Sequence, residues 1–276
     1  MTRTADRTRG GAAMTVLAAL LAGCVPVVAD QPAAVAPADQ PAAAVTPAAE
    51  PAVTPDQPAV APAAPPARSQ PARIGYPADG GKRWRFAAAE PATSGGTGRL
   101  LRYRVAVERD ITGLPPAEFG AEVTGILAGP GGWTTDGRIA LRRVGADGPA
   151  DFTVYLATPG TRDDLCGDGP DRYTSCRNGD RVVVNVARWV RGAPAYRTDL
   201  DAYRRYVVNH EVGHRLGYGH ERCPGRGRPA PVMQQQTLGL HGCAPNPLPF
   251  LRGERYAGPS GAYDDALPPP EGGSPG

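Results

Sequence analysis

His210-Glu211-Val212-Gly213-His214-Arg215-Leu216-Gly217-Tyr218-Gly219-His220 is the stretch on which the fold turns. His210 and His214 stand four residues apart. On a helix that is about one turn, so both imidazoles share a face and can reach one ion. Glu211 is rotated off that line and can reach a water held by the ion without being a ligand. Gly217 ends the helix, and the chain then brings His220 in from outside as a third ligand. Three neutral imidazoles at about 2.0–2.1 Å leave one tetrahedral position open, the arrangement of a catalytic zinc rather than a structural one. The chain has four histidines, and three of them lie in this stretch.

The helix carrying the first two histidines is predicted over about 198–216. Thr198 caps it, and Asp201 three residues later completes a capping-box pattern. Leu200, Tyr203, Val207, His210 and His214 form one stripe, with Val208, Val212 and Leu216 on an adjoining ridge. So apolar a helix should be buried. Gly213, costly in a free helix, then points to close packing.

Upstream, 100–108 alternates like a strand, with Tyr103, Val105 and Val107 on one side. Pro115-Pro116 opens a helix over about 117–127 that stops at Gly129-Pro130-Gly131-Gly132. Strands are predicted at 138–144, 151–157 and 181–186, with a turn-rich loop at 165–180. Strand, helix, three strands and a long helix predict an α+β fold, a twisted mixed sheet with a backing helix and a long zinc-binding helix packed on it.

The histidine stretch has the H-E-x-x-H-x-x-G-x-x-H pattern and resembles the metzincin zinc peptidases. Pro231-Val232-Met233-Gln234 resembles the Met-turn that underlies the three histidines in that clan. The whole stretch also resembles an actinobacterial family of exported metzincin-like domains of unassigned function. The resemblance is firm over about 203–243. It implies Zn2+ held by His210, His214 and His220, Glu211 as general base, and Met233 beneath the site. It further implies an antiparallel edge strand beside the cleft, placed at Arg181, Val182, Val183, Val184 and Asn185, to which an extended peptide substrate would pair. Gln235 stands where some members carry a tyrosine ligand, so no such ligand is expected. Glu221 stands as in astacin-like members, but one residue is a weak signal and it reads rather as a surface charge; His241 reads as a polar surface group of the Cys243 loop.

The N-terminus reads as an address. Arg3, Arg7 and Arg9 precede a short apolar run and Leu21-Ala22-Gly23-Cys24, an export signal over 1–23 with a lipobox-like end. Lipidation of Cys24 would anchor the protein to the outer face of the cytoplasmic membrane; without it the chain would be secreted. The other cysteines, Cys166, Cys176, Cys223 and Cys243, are even in number, as expected for two disulfides in an exported chain. The local pairing, Cys166 with Cys176 and Cys223 with Cys243, is favoured over a four-cysteine zinc site, because no C-x-x-C pair is present. A Cys223–Cys243 bridge would stiffen the floor of the metal site.

Composition completes the division. The 276 residues hold 36 Gly and 32 Pro, and much of the Pro falls after Cys24 and in the C-terminal tail. Residues 24–73 form a Pro/Ala-rich stalk of polyproline II character, 74–257 the zinc domain, and 258–276 a disordered tail poor in core residues. No apolar run reaches the roughly 18 residues of a membrane span. A net charge of +3 argues against nucleic acid as a partner. Lys82 is the only lysine, a bias of GC-rich coding. The expected function is that of a monomeric, membrane-anchored zinc endopeptidase acting on a peptide or protein substrate through a zinc-activated water. The rivals are a non-catalytic zinc-containing surface lipoprotein and a zinc hydrolase of cell-wall peptides.

Overall fold

A computed structural model describes residues 73–270 and 272–274. The export segment, Cys24 and the stalk up to residue 72 lie outside the described residues. The fold is α+β. Its main sheet is built on β3 (Arg99–Glu108), the strand with the alternating Tyr103, Val105 and Val107, all buried. β4 (Ile139–Arg143), β5 (Phe152–Ala157) and β7 (Arg181–Asn185) run parallel with it, in the order β4-β3-β5-β7. Three short strands are antiparallel to their neighbours: β1 (Trp84–Phe86) on the end of β3, β2 (Ser94–Gly95) on β4, and β6 (Cys176–Asn178) on β7.

This order corrects one expectation. β7, the run Arg181, Val182, Val183, Val184 and Asn185, is not the edge of the sheet. It is paired on both sides, Val183 opposite Tyr155 of β5 and Cys176 of β6. The edge is β6, reached through the tight turn at Gly179-Asp180. The physical reason is legible in the composition of β7. Three consecutive valines leave no polar face, as expected of a strand covered on both sides. Val182 and Val184 join the main core, while Val183 packs with Ala157, Cys166 and Cys176 on the opposite side.

Helices cover both faces. α1 (Pro116–Ala128) buries Phe119, Val123, Ile126 and Leu127 and contacts β3 and the long helix α4 (Leu200–Arg215). α4 begins one residue later than predicted, because Asp199 rather than Thr198 caps it, accepting a hydrogen bond from the Ala202 N–H at 2.8 Å. A further helix, α2 (Pro159–Cys166), packed on β6 and β7, fills the stretch between the predicted strand at 151–157 and the predicted loop at 165–180, and β6 lies inside that loop. Another, α3 (Val186–Arg191), follows β7 directly, with Asn185 as its cap. The bonds Cys166–Cys176 and Cys223–Cys243 are both formed, as in chains that mature in an oxidising, extracytoplasmic setting. No helix among the described residues is long and apolar enough to cross a membrane.

After β8 (Phe250–Leu251) and β9 (Glu254–Arg255), a hairpin, the described part of 258–276 departs from the disorder that its composition predicts. It lies against the domain through backbone bonds. Arg222 N–H donates to Pro259 O at 2.7 Å, Gly261 N–H to His220 O at 2.9 Å, and Ser274 exchanges two bonds with Tyr76. Composition misses such contacts because main-chain groups make them, not apolar side chains.

Candidate functional site

The site is assembled by α4, by the turn that leaves it and by a second turn that lies against it. α4 ends in a Schellman arrangement: Tyr218 N–H donates to Gly213 O at 3.0 Å and Gly217 N–H to His214 O at 3.1 Å. Gly217 takes φ +99°, which an L side chain adopts only with strain. The exit carries the chain round to His220. The second turn is Pro231–Gln234, closed by Gln234 N–H to Pro231 O at 2.9 Å. Its Met233 is fully buried. A Cβ on Gly213 would overlap Met233 Sδ and come within 2.8 Å of Trp133 Cζ2, so the glycine is what lets helix and turn touch. Met233 O also accepts the Glu221 N–H at 3.1 Å, which fixes the strand segment next to His220.

The three histidines converge. Nε2 of His214 lies 3.2 Å from Nε2 of His210 and 3.1 Å from Nε2 of His220. The other ring nitrogens decide the tautomers. His210 Nδ1 lies 2.8 Å from Val232 O and His214 Nδ1 lies 2.9 Å from Tyr218 O. A carbonyl only accepts, so each Nδ1 carries the proton and each Nε2 presents a lone pair. Burial, the largest cause, pulls all three imidazoles below the usual histidine range, His220 to about 4, and their mutual charges add to this for His210 and His220. All three are therefore neutral near pH 7. The contact between His210 and His214 is then lone pair against lone pair, which a cation placed between them relieves. Tetrahedral coordination with bonds of about 2.0–2.1 Å puts nitrogens about 3.3–3.4 Å apart, close to the spacing here. The donor set fits one metal ion.

Glu211 lies in the same cleft, whose volume is about 640 Å³. Glu211 is 5% exposed. Burial raises its pKa to about 8, against the opposing pull of Arg162 and with help from Asp168 and Asp171. Arg162 is itself buried and holds the far wall. Its guanidinium is bidentate to Asp168 at 2.9 and 3.0 Å, pairs with Asp171 at 2.9 Å, and donates from Nε to Thr174 O at 3.1 Å. This ties α2 to the loop that leads into β6, and the β6 residue Arg177 lines the cleft.

His210, Glu211, His214 and His220 are thus brought together as the spacing predicts, and the Met233 turn lies against α4 as the resemblance implies. Arg181–Asn185 form an interior strand behind the site, and Cys24 lies outside the described residues. Cys223–Cys243 joins the segment after His220 to the segment after Met233. Glu221 is no ligand: it pairs with Arg255 at 3.0 Å and accepts the Gly258 N–H at 3.3 Å. His241 sits apart, 2.9 Å from Asp265 and stacked on Tyr263. Sequence reasoning missed the Arg162 network because it missed α2, although Pro159 at the first turn and Gly167 after Cys166 are start and stop signals. It also missed Trp133, which donates to Asn209 O at 2.8 Å and stacks on Tyr218.

Fold and site together define an α+β domain with a partly buried three-histidine cluster lining a cleft. The chain belongs to the family described as Protein of unknown function (DUF3152), which matches residues 70–247. Neither a comparison with curated proteins nor one with solved structures returns a match.

Proposed function

We propose that this protein is a metzincin-like zinc endopeptidase, held outside the cell by a lipid on Cys24. The observation that supports the reading best is the convergence of three imidazole Nε2 atoms beside a buried carboxyl, Glu211, in the same cleft. A structural zinc site has no use for a buried carboxyl beside the ion that is not a ligand. His210, His214 and His220 would hold the ion, and Val232 O and Tyr218 O keep two of their rings turned toward it. When bound, zinc supplies Lewis-acid polarisation of a carbonyl and acidifies water. The charge of a bound cation would favour ionised Glu211 over the neutral acid that burial favours, and the ionised carboxylate would take the water proton and return it to the leaving amine. The edge strand β6, not β7, is placed for an extended peptide to pair with, and Arg177 on it faces the cleft.

The test is cleavage of a peptide library by the metal-loaded chain, after chelation, and after zinc is restored. Cleavage that is lost on chelation and returns with zinc is the expected result. Zinc bound tightly with no turnover on any library would favour a non-catalytic binding module.

A further inference from the structure

The C-terminal tail makes its contacts around the cleft rather than away from it. On one side, Tyr263 stacks on His241, donates nothing to it, and receives the Cys223 N–H on its hydroxyl at 3.2 Å, while Asp265 pairs with His241 at 2.9 Å. His241 follows the Gln235–Leu238 segment, and Gln235, Thr237 and Leu238 line the cleft. On the other side, Ser274 N–H donates to Tyr76 O at 2.7 Å, and Ser274 O accepts the Tyr76 N–H at 2.8 Å. Gly273 is packed so closely that a Cβ would come within 2.7 Å of Ala78 N. This second anchor adjoins the opposite wall. Asp79 pairs with Arg172 at 2.7 Å, and Asp168, Pro170 and Asp171 of the same loop line the cleft. Between the two anchors, Leu267 lines the cleft together with the histidines and Glu211. Leu267 and Tyr218 are the exposed large hydrophobic residues among those described, and both lie at this opening. The family match ends at residue 247, so these contacts are made by a part of the chain outside the matched region.

We propose that residues 264–270 and 272–274 belong to an autoinhibitory strap: fixed at His241 and at Tyr76, it lies at the mouth of the cleft, seats Leu267 there, and keeps extended peptides out until it is displaced. Pro268, Pro269 and Pro270 suit that role. They have no N–H to donate to a strand edge and their φ is fixed, so the strap obstructs without pairing as a substrate would. The inhibitory role rests on the peptidase reading, whereas the covering of the cleft does not.

Hydrogen exchange on the full chain tests it, comparing wild type with Leu267→Asp and with Ser274→Pro, which removes the N–H bonded to Tyr76. In wild type the Ser274 amide should be protected. In both variants, amides of the cleft walls at 174–178 and 235–238 should exchange faster, on the order of tenfold for loss of one anchoring contact, and zinc should pass faster to an added chelator. A wild-type Ser274 amide exchanging as in an unstructured peptide would overturn the proposal. So would variants whose cleft walls exchange at the wild-type rate. If the variants open the cleft and still cut no peptide, the strap stands and the peptidase reading fails.

Discussion

Gly213 on α4 lies against Met233 of the Pro231–Gln234 turn so closely that one added methyl group would overlap the sulfur. The contact joins the helix that carries two of the histidines to the turn whose Val232 carbonyl orients the first of them. Gly213→Ala improves helix propensity but overpacks this seam. It should destabilise the domain by about 1–3 kcal/mol, read as a lower denaturant midpoint at unchanged m-value. Equal or greater stability would show that the seam has slack.

The fixed tautomers of His210 and His214 predict a preference for the metal-bound state. Zinc should raise the melting temperature in proportion to the logarithm of its free concentration. His210→Ala and His214→Ala should each weaken zinc binding by at least roughly a hundredfold, measured by competition with a chromophoric chelator, because each deletes a ligand outright. Unchanged affinity in either variant would place the metal elsewhere.

A pH effect follows from Glu122 on α1. Burial lifts its pKa above the usual carboxylate value, and Arg204, 3.4 Å away, offsets this only in part. A carboxyl whose folded pKa lies above its unfolded one contributes stability at low pH and loses it as pH rises through the folded pKa. Glu122→Gln is neutral throughout, so its melting temperature should gain on wild type as pH rises from about 4 to 7. Thermal melts across that range check it, and a variant that melts lower at pH 7 would show that the Arg204 pair dominates.

The Cys223–Cys243 bridge closes a 20-residue loop. Replacing both cysteines with serine should cost about 3 kcal/mol in the chain-entropy description. It should also slow the recovery of zinc binding after unfolding, because the bridge holds the segments that follow His220 and Met233.

The long periodic elements were legible in the sequence. β3, α1, β5 and α4 lie within two residues of their predicted bounds, because alternation, Pro116 and the Val/Tyr/His stripe are local signals. The three histidines were legible because a four-residue spacing and a glycine turn already dictate convergence. β6 was not, because three residues carry no period, and its absence moved the sheet edge to β7. Asn185 capped α3 unseen because the preceding valine run read as strand to its end. The strap was invisible for a different reason. Its anchors are the Asp265–His241 pair and backbone bonds to Tyr76, which a count of apolar residues does not record.

Zinc content and peptide turnover of Glu211→Gln, measured on one preparation in the Leu267→Asp background, bear most directly on the proposed chemistry. Glutamine keeps the shape and the buried seat of Glu211 but cannot take a proton. Zinc content should match that of the parent, with turnover lower by roughly 10²–10⁴. Turnover at the parent rate in the zinc-loaded Gln variant would contradict Glu211 as the base.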